Sequence, residues 1–194
     1  MERFWHAFIP LFVALDGVGL LPMFWGMASR LSPRQRQRVV TEAVATAFLV
    51  TVGFLLISRW VFELLGLEFT DLMVAAGAIL LVLALRDLLL PDLRPKEQSD
   101  SPGVVPLGVP LLAGPAVLTT SLLVRDRYGW PLALLVLVTN LALAWLILRS
   151  SDWLMKRLGR DGAQVISKIF SLILTAFGIM LIRQGITTFL SRSQ

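Results

Sequence analysis

Residues 8–24 read FIPLFVALDGVGLLPMF, an apolar run interrupted at its centre by Asp16, Gly17 and Gly19 and flanked by Pro10 and Pro22. A helix crossing a bilayer needs about 20 mostly apolar residues. Breakers inside such a run free backbone N–H and C=O groups, which is tolerated only where the segment is buried in protein or lines a cavity. A second run of this kind, VPLGVPLLAGPAVLTTS at 105–121, carries Pro106, Gly108, Pro110, Gly114 and Pro115. Superposing Asp16-Gly17 on Gly114-Pro115 puts Pro10 opposite Gly108 and Pro22 opposite Thr120. The two runs match weakly by residue and well in breaker placement.

Outward from these runs, six apolar windows are each long enough to span: 4–28, 39–61, 69–90, 104–124, 130–148 and 165–190. No other window carries a proline away from its ends, Pro131 being the second residue of 130–148. The chain has 194 residues, 56% apolar and 16% charged, with mean hydropathy +0.76, which excludes an ordinary soluble domain. The connections are short and polar, among them SRLSPRQRQR at 29–38, PDLRPKEQSDSPG at 91–103 and RSSDWLMKRLGRDGAQ at 149–164. The stretch 91–103 divides a single transmembrane domain, 1–194, into halves of three spans, 1–90 and 104–194. Three is odd, so the halves have opposite orientation. The expected fold is therefore an all-α polytopic membrane protein of six transmembrane helices, built as two inverted three-helix repeats with spans one and four broken at their Gly/Pro motifs.

The formal charge is +5 and the pI about 10.7, but the basic residues sit in short clusters between apolar runs, a pattern of membrane topology rather than nucleic-acid binding. Arg3, Arg59, Arg125, Arg127, Arg183 and Arg192 fall on one side, and the other twelve of the 18 Lys and Arg residues fall on or beside the odd-numbered connections. That bias puts the odd-numbered connections in the cytoplasm and both termini outside. Trp5, Trp25, Trp60, Trp130 and Trp153 lie at span ends, where an amphipathic indole prefers to sit. The first run lacks a small-x-small cleavage pattern and does not read as a removable signal peptide.

Zero cysteines and the single histidine His6 leave no disulfide, thiol redox, Fe–S or thiolate zinc chemistry and no metal site. There is no Walker phosphate loop and no nucleophile elbow. The reading is of a protein that is not an enzyme and needs no cofactor.

Gly114-Pro115 suits a helix restart, since proline at the first helical position has the right φ and loses no hydrogen bond. Asp16 suits the N-cap of the other restart. Two half-helix N-termini approaching the midplane would carry free donors and partial positive charge, a seat for a small carboxylate. Gly17, Gly19 and Gly114 leave backbone exposed in a small space, and Asp16 would hold the ammonium group of a zwitterion. Asp16 is also the one ionisable residue placed near the membrane centre, which makes it the proton-coupling candidate; a purely structural cap is the competing reading. Thr119 and Thr120 after the second break and Asn140 in span five are candidate polar lining, or else bond back to their own helix or glue helices together.

The residues resemble the MarC family of six-span inner-membrane proteins, related to the LysE-type exporters. Asp16-Gly17-Val18-Gly19-Leu20-Leu21-Pro22 looks like that family's Asn-Pro-x-Gly-x-x-Pro pattern, with Asp16-Gly17 in place of Asn-Pro. Pro110-Leu111-Leu112-Ala113-Gly114-Pro115 with Thr119-Thr120 is similar to its fourth span. AAGAILLVLAL at 75–85 and GIMLIRQGI at 178–186 resemble its third and last spans, while Met73 stands where many members carry a basic residue. The resemblance implies a multi-pass protein of the bacterial inner (plasma) membrane that acts as a transporter. It implies small neutral amino acids such as glycine or alanine as solutes.

The expected function is a secondary transporter of a small polar solute, with Asp16, Gly17, Gly19, Gly114, Pro115, Thr119, Thr120 and Asn140 at its site. Its partners would be the lipid bilayer and that solute, with no nucleic acid, and a homo-oligomer is left open. The rival reading is a membrane scaffold or regulator that transports nothing, or an exporter of another small metabolite.

Overall fold

Proline and glycine set several of the helix boundaries. A computed structural model describes residues 2–28, 31–89 and 112–192, which form seven helices and no strand. The linker 91–103 and the first part of the fourth window, with Pro106, Gly108 and Pro110, lie outside the described residues.

Helix α1 (Glu2–Leu15) and α2 (Leu21–Ala28) divide the first window, with a turn at 16–20 between them. At 14 and 8 residues neither crosses about 30 Å of hydrocarbon, since a helix rises about 1.5 Å per residue. Helix α3 (Pro33–Leu65) opens with a capping box in which Gln35 N–H donates to Ser32 Oγ at 3.3 Å and Ser32 N–H donates to Gln35 Oε1 at 2.9 Å. It closes at Gly66, whose φ of 64° supplies the left-handed cap that glycine takes without strain. Helix α4 (Phe69–Leu89) follows. Helix α5 (Pro115–Tyr128) begins at Gly114-Pro115, and Gly129 alone separates it from α6 (Trp130–Arg149). Helix α7 (Ser151–Arg192) kinks at Gly159, where φ is 68°.

Two segments expected to be connections are helical. Residues 33–38 form the first turns of α3, started by the Ser32 cap, and 151–158 form the first turns of α7, where Ser151 and Met155 are buried one turn apart. Polar composition marks where chain leaves the bilayer, not where a helix stops.

Among the described residues four helices are long and apolar enough to cross a membrane: Pro33–Ser58, Phe69–Arg86, Trp130–Arg149 and Gln164–Ser191. Large apolar side chains such as Leu49, Leu56, Ile169 and Leu172 face outward, while alanines and mid-sized residues fill the interior, α6 contributing Ala133, Val136, Leu137, Leu141 and Ala144. That distribution suits lipid as the solvent, where helices associate through close packing of small residues. The closest approach joins α4 and α7. A Cβ on Gly77 would stand 2.6 Å from Gly178 O, and one on Gly185 would stand 3.0 Å from Thr70 O. Higher numbers on one helix meet lower numbers on the other, so the pair is antiparallel. At one end Arg36 donates to Ala28 O at 2.8 Å and pairs with Asp152, tying α2, α3 and α7 together. Arg149 over Trp145 (4.7 Å) and Arg157 over Trp153 (5.0 Å) mark that end, and Arg125 over Trp130 (5.6 Å) marks the other.

Candidate functional site

Helix α1 ends where Asp16 turns into the left-handed region, at φ 47°. Among the described residues it is the single non-glycine with positive φ. Asp and Asn tolerate this conformation best of the non-glycine residues because their short polar side chains bond locally. Asp16 Oδ1 accepts the Gly19 N–H at 3.2 Å, Asp16 O accepts Leu20 N–H at 3.0 Å, and Val18 O accepts Leu21 N–H at 3.1 Å. Leu20 O then accepts from Phe24 N–H at 2.8 Å, so Leu20 occupies the cap position of α2. The expectation that Asp16 caps α2 is corrected here. It terminates α1 instead, and its carboxylate holds the turn, because a side chain this short reaches the N–H three residues on and no further.

The glycines fit this arrangement closely. A Cβ on Gly19 would lie 2.4 Å from Asp16 Oδ2, and one on Gly17 would lie 3.3 Å from Ala144 Cβ on α6. A side chain at position 19 would displace the Asp16 carboxylate from its donor, and the Gly19 N–H, expected to meet a solute, is already engaged by Asp16.

The start of α5 is simpler. Gly114 is extended (φ −72°, ψ 169°), Pro115 takes the first helical position, and Gly114 O accepts Leu118 N–H at 3.1 Å. Thr119 Oγ1 donates to Pro115 O at 2.7 Å, so its hydroxyl proton serves its own helix. Thr120, 1% exposed, has a hydroxyl with no protein partner. Asn140 donates to Val136 O at 2.9 Å and to Phe8 O at 3.4 Å, leaving its buried Oδ1 without a partner. Asn140 thus bridges α6 to α1, one turn from the Ala144 that meets Gly17. Helix α5 packs on both α1 and α6, so one three-helix group carries every expected site residue. Within it, Asp16, Gly17 and Gly19 share a turn, and of the expected site residues Thr120 and Asn140 keep a buried side-chain oxygen without a protein partner. A buried polar group without a partner costs about 1–3 kcal/mol, and such groups call for an explanation by ligand, water or strain.

Sequence reasoning missed a second feature. Arg125, counted only as a topological charge, folds inward from α5 and donates to Leu55 O and to Ser58 Oγ (3.2 Å) on α3, while pairing with Asp126 at 2.8 Å. It borders a cleft of about 500 Å³ lined by Phe62, Glu63, Phe69, Leu122, Arg125 and Asp126. The available signal was Thr51 and Ser58 inside the apolar window of span two. Among the described residues no three His, Cys, Asp or Glu side chains come together to hold a metal.

Apolar helices of spanning length with large apolar side chains on their outer surface define an integral membrane protein. The profile of the MarC family of integral membrane proteins matches residues 1–190, and the chain belongs to that family. It is similar to a UPF0056 membrane protein of Pyrococcus abyssi, 28% identical across 96% of this chain and 95% of the relative. It is also similar to the UPF0056 inner membrane protein YhgN of Escherichia coli, 27% identical across 96% of this chain and 97% of the relative. No solved structure matches it.

Proposed function

We propose that this protein is a secondary transporter of a small polar solute, with small neutral amino acids such as glycine and alanine the favoured class and a proton carried on Asp16 as the coupling ion. The observation that carries the reading is the interrupted helix at 16–20, set in the bundle beside α6, with the Asn140 Oδ1 and Thr120 Oγ1 atoms buried and unpartnered on the helices around it. A channel-lining or substrate-lining role gives those atoms a partner; a purely structural kink does not. No enzymatic role is assigned.

In this reading α1 and α2 together make the first of six crossings and α5 completes the fourth, giving two inverted three-helix repeats. The packing supports it: α2 lies on α7 and α5 lies on α4, while α4 and α7 cross antiparallel at Gly77 and Gly178. Such an exchange of partners is expected of halves related by a pseudo-two-fold axis in the membrane plane. Alternating access then moves one repeat against the other, with the odd-numbered connections in the cytoplasm, both termini outside, and the inner membrane as its location.

The test is uptake of labelled glycine and alanine into proteoliposomes, with and without a pH gradient, for the native chain and Asp16→Asn. Gradient-driven uptake that is lost in the variant supports a proton-coupled carrier. No uptake above empty liposomes removes this solute class and favours a scaffold or an exporter of another metabolite.

A further inference from the structure

Helix α3 and helix α5 run in the same direction. Trp145 Nε1 donates to Thr41 Oγ1 at 3.1 Å, setting the end of α6 beside the start of α3. Arg125, which bonds Leu55 O and Ser58 on α3, sits 5.6 Å from the ring of Trp130 at the start of α6. Helix α6 is thus antiparallel to α3, and, through the single-residue connection at Gly129, antiparallel to α5 as well.

That register has a consequence for two hydroxyls. Ser121 lies one turn before Arg125, and Thr51 lies one turn before Leu55, so both stand about 6 Å deeper than the Arg125 contact at about 1.5 Å per residue. Thr51 is 0% and Ser121 2% exposed, and neither hydroxyl has a protein partner. This is not the habit of the chain. Thr41, Thr139, Ser171 and Thr175 all donate to the carbonyl one turn back, the usual refuge of a hydroxyl in a membrane helix. Thr120, adjacent to Ser121, is also unpartnered, and Leu122, on its other side, lines the cleft.

We propose that a hydrated route for water and a small polar solute runs between α3 and α5 from the cleft to the helix break, passing Ser121, Thr51 and Thr120, and that Arg125 closes its mouth by bonding Leu55 O and Ser58. The proposal deepens the transporter reading by assigning one of its two access paths, and the solute part rests on that reading. The chemistry of the mouth fits a zwitterion: Arg125 presents a cation beside the carboxylates of Asp126 and Glu63, with Phe62 and Phe69 excluding bulk.

The chain contains no cysteine, so single cysteines report without background. Ser121→Cys, Thr51→Cys and Val138→Cys are placed one at a time in the full chain in liposomes and reacted with a charged, membrane-impermeant methanethiosulfonate from each side. Val138 is the control, half exposed on α6 at matching distance from Gly129. We expect Ser121→Cys and Thr51→Cys to react from the Gly66 side at least about tenfold faster than Val138→Cys. Adding Arg125→Gln should raise the Ser121→Cys rate by at least about tenfold, the factor for losing even one of the two charge-assisted bonds to α3, and Arg125→Lys, used should the first variant fail to fold, keeps the charge and should raise it less. Rates at Ser121 and Thr51 no faster than at Val138 overturn the route. A reactive Ser121→Cys whose rate ignores Arg125 overturns the closure. Because labelling needs no transported solute, reactive cysteines without glycine or alanine uptake retain the route and remove the solute, and uptake with unreactive cysteines does the reverse.

Discussion

The Asp16 carboxylate and Gly19 form one unit: Oδ1 accepts the Gly19 N–H at 3.2 Å, and Oδ2 lies 2.4 Å from where a Gly19 Cβ would stand. The break in the first window is therefore held by a side chain, which a methyl group at position 19 would displace.

Gly19→Ala should lower stability by about 1–3 kcal/mol, because the carboxylate must swing off its donor or the turn must widen. Thermal unfolding in detergent measures this. In an Asp16→Ala background the same change should cost much less, since the group it collides with is gone; equal costs in both backgrounds would refute the coupling.

Asp16→Asn keeps an oxygen acceptor for Gly19 and a residue that tolerates positive φ. Its stability should stay within about 1 kcal/mol of the native chain, while uptake loses its dependence on a pH gradient. A folded variant with unchanged pH dependence removes Asp16 from coupling.

Glycines in the membrane helices should divide by packing. Gly77→Ala and Gly178→Ala each drive a methyl into backbone across the α4–α7 contact and should cost about 1–3 kcal/mol. Gly53→Ala meets nothing within 4 Å and should be neutral or stabilising by up to about 1 kcal/mol, the difference in helix propensity. Unfolding curves of the three variants decide it.

Arg36 and Asp152 should contribute unequally although they pair. The Arg36 side chain is 13% exposed and also caps Ala28 O, whereas that of Asp152 is 53% exposed. Asp152→Asn should cost under about 1 kcal/mol, and Arg36→Ala should cost more, since it also uncaps α2 and removes buried stem. Similar losses in the two variants would mean that the ion pair alone matters.

Much of this protein is legible in its composition and its breakers. The apolar windows place α3, α4, α6 and the body of α7, since a bilayer demands about 20 apolar residues whatever the neighbours do. The DGVG signal places the break between α1 and α2, and Gly114-Pro115 places the start of α5, because positive φ and a missing N–H are local properties of the backbone. The helical turns at 33–38 and 151–158 escape a hydropathy window, since amphipathic turns beyond the bilayer look like loops.

Side-chain roles were less accessible. Thr119 and Thr120 are neighbours in sequence, yet one bonds its own helix and the other is buried without a partner; successive helical residues point about 100° apart, and packing chooses between them. Arg125 reads as a charge beside a loop until the parallel register of α3 and α5 brings Leu55 O and Ser58 beneath it. Local chemistry determines where this chain is helical and where it must break, because those preferences belong to single residues and short windows. Which buried hydroxyls are left without a partner, and which cation bonds to a neighbouring helix, depends on contacts between residues such as 58 and 125, far apart in the chain, and only the folded bundle sets them.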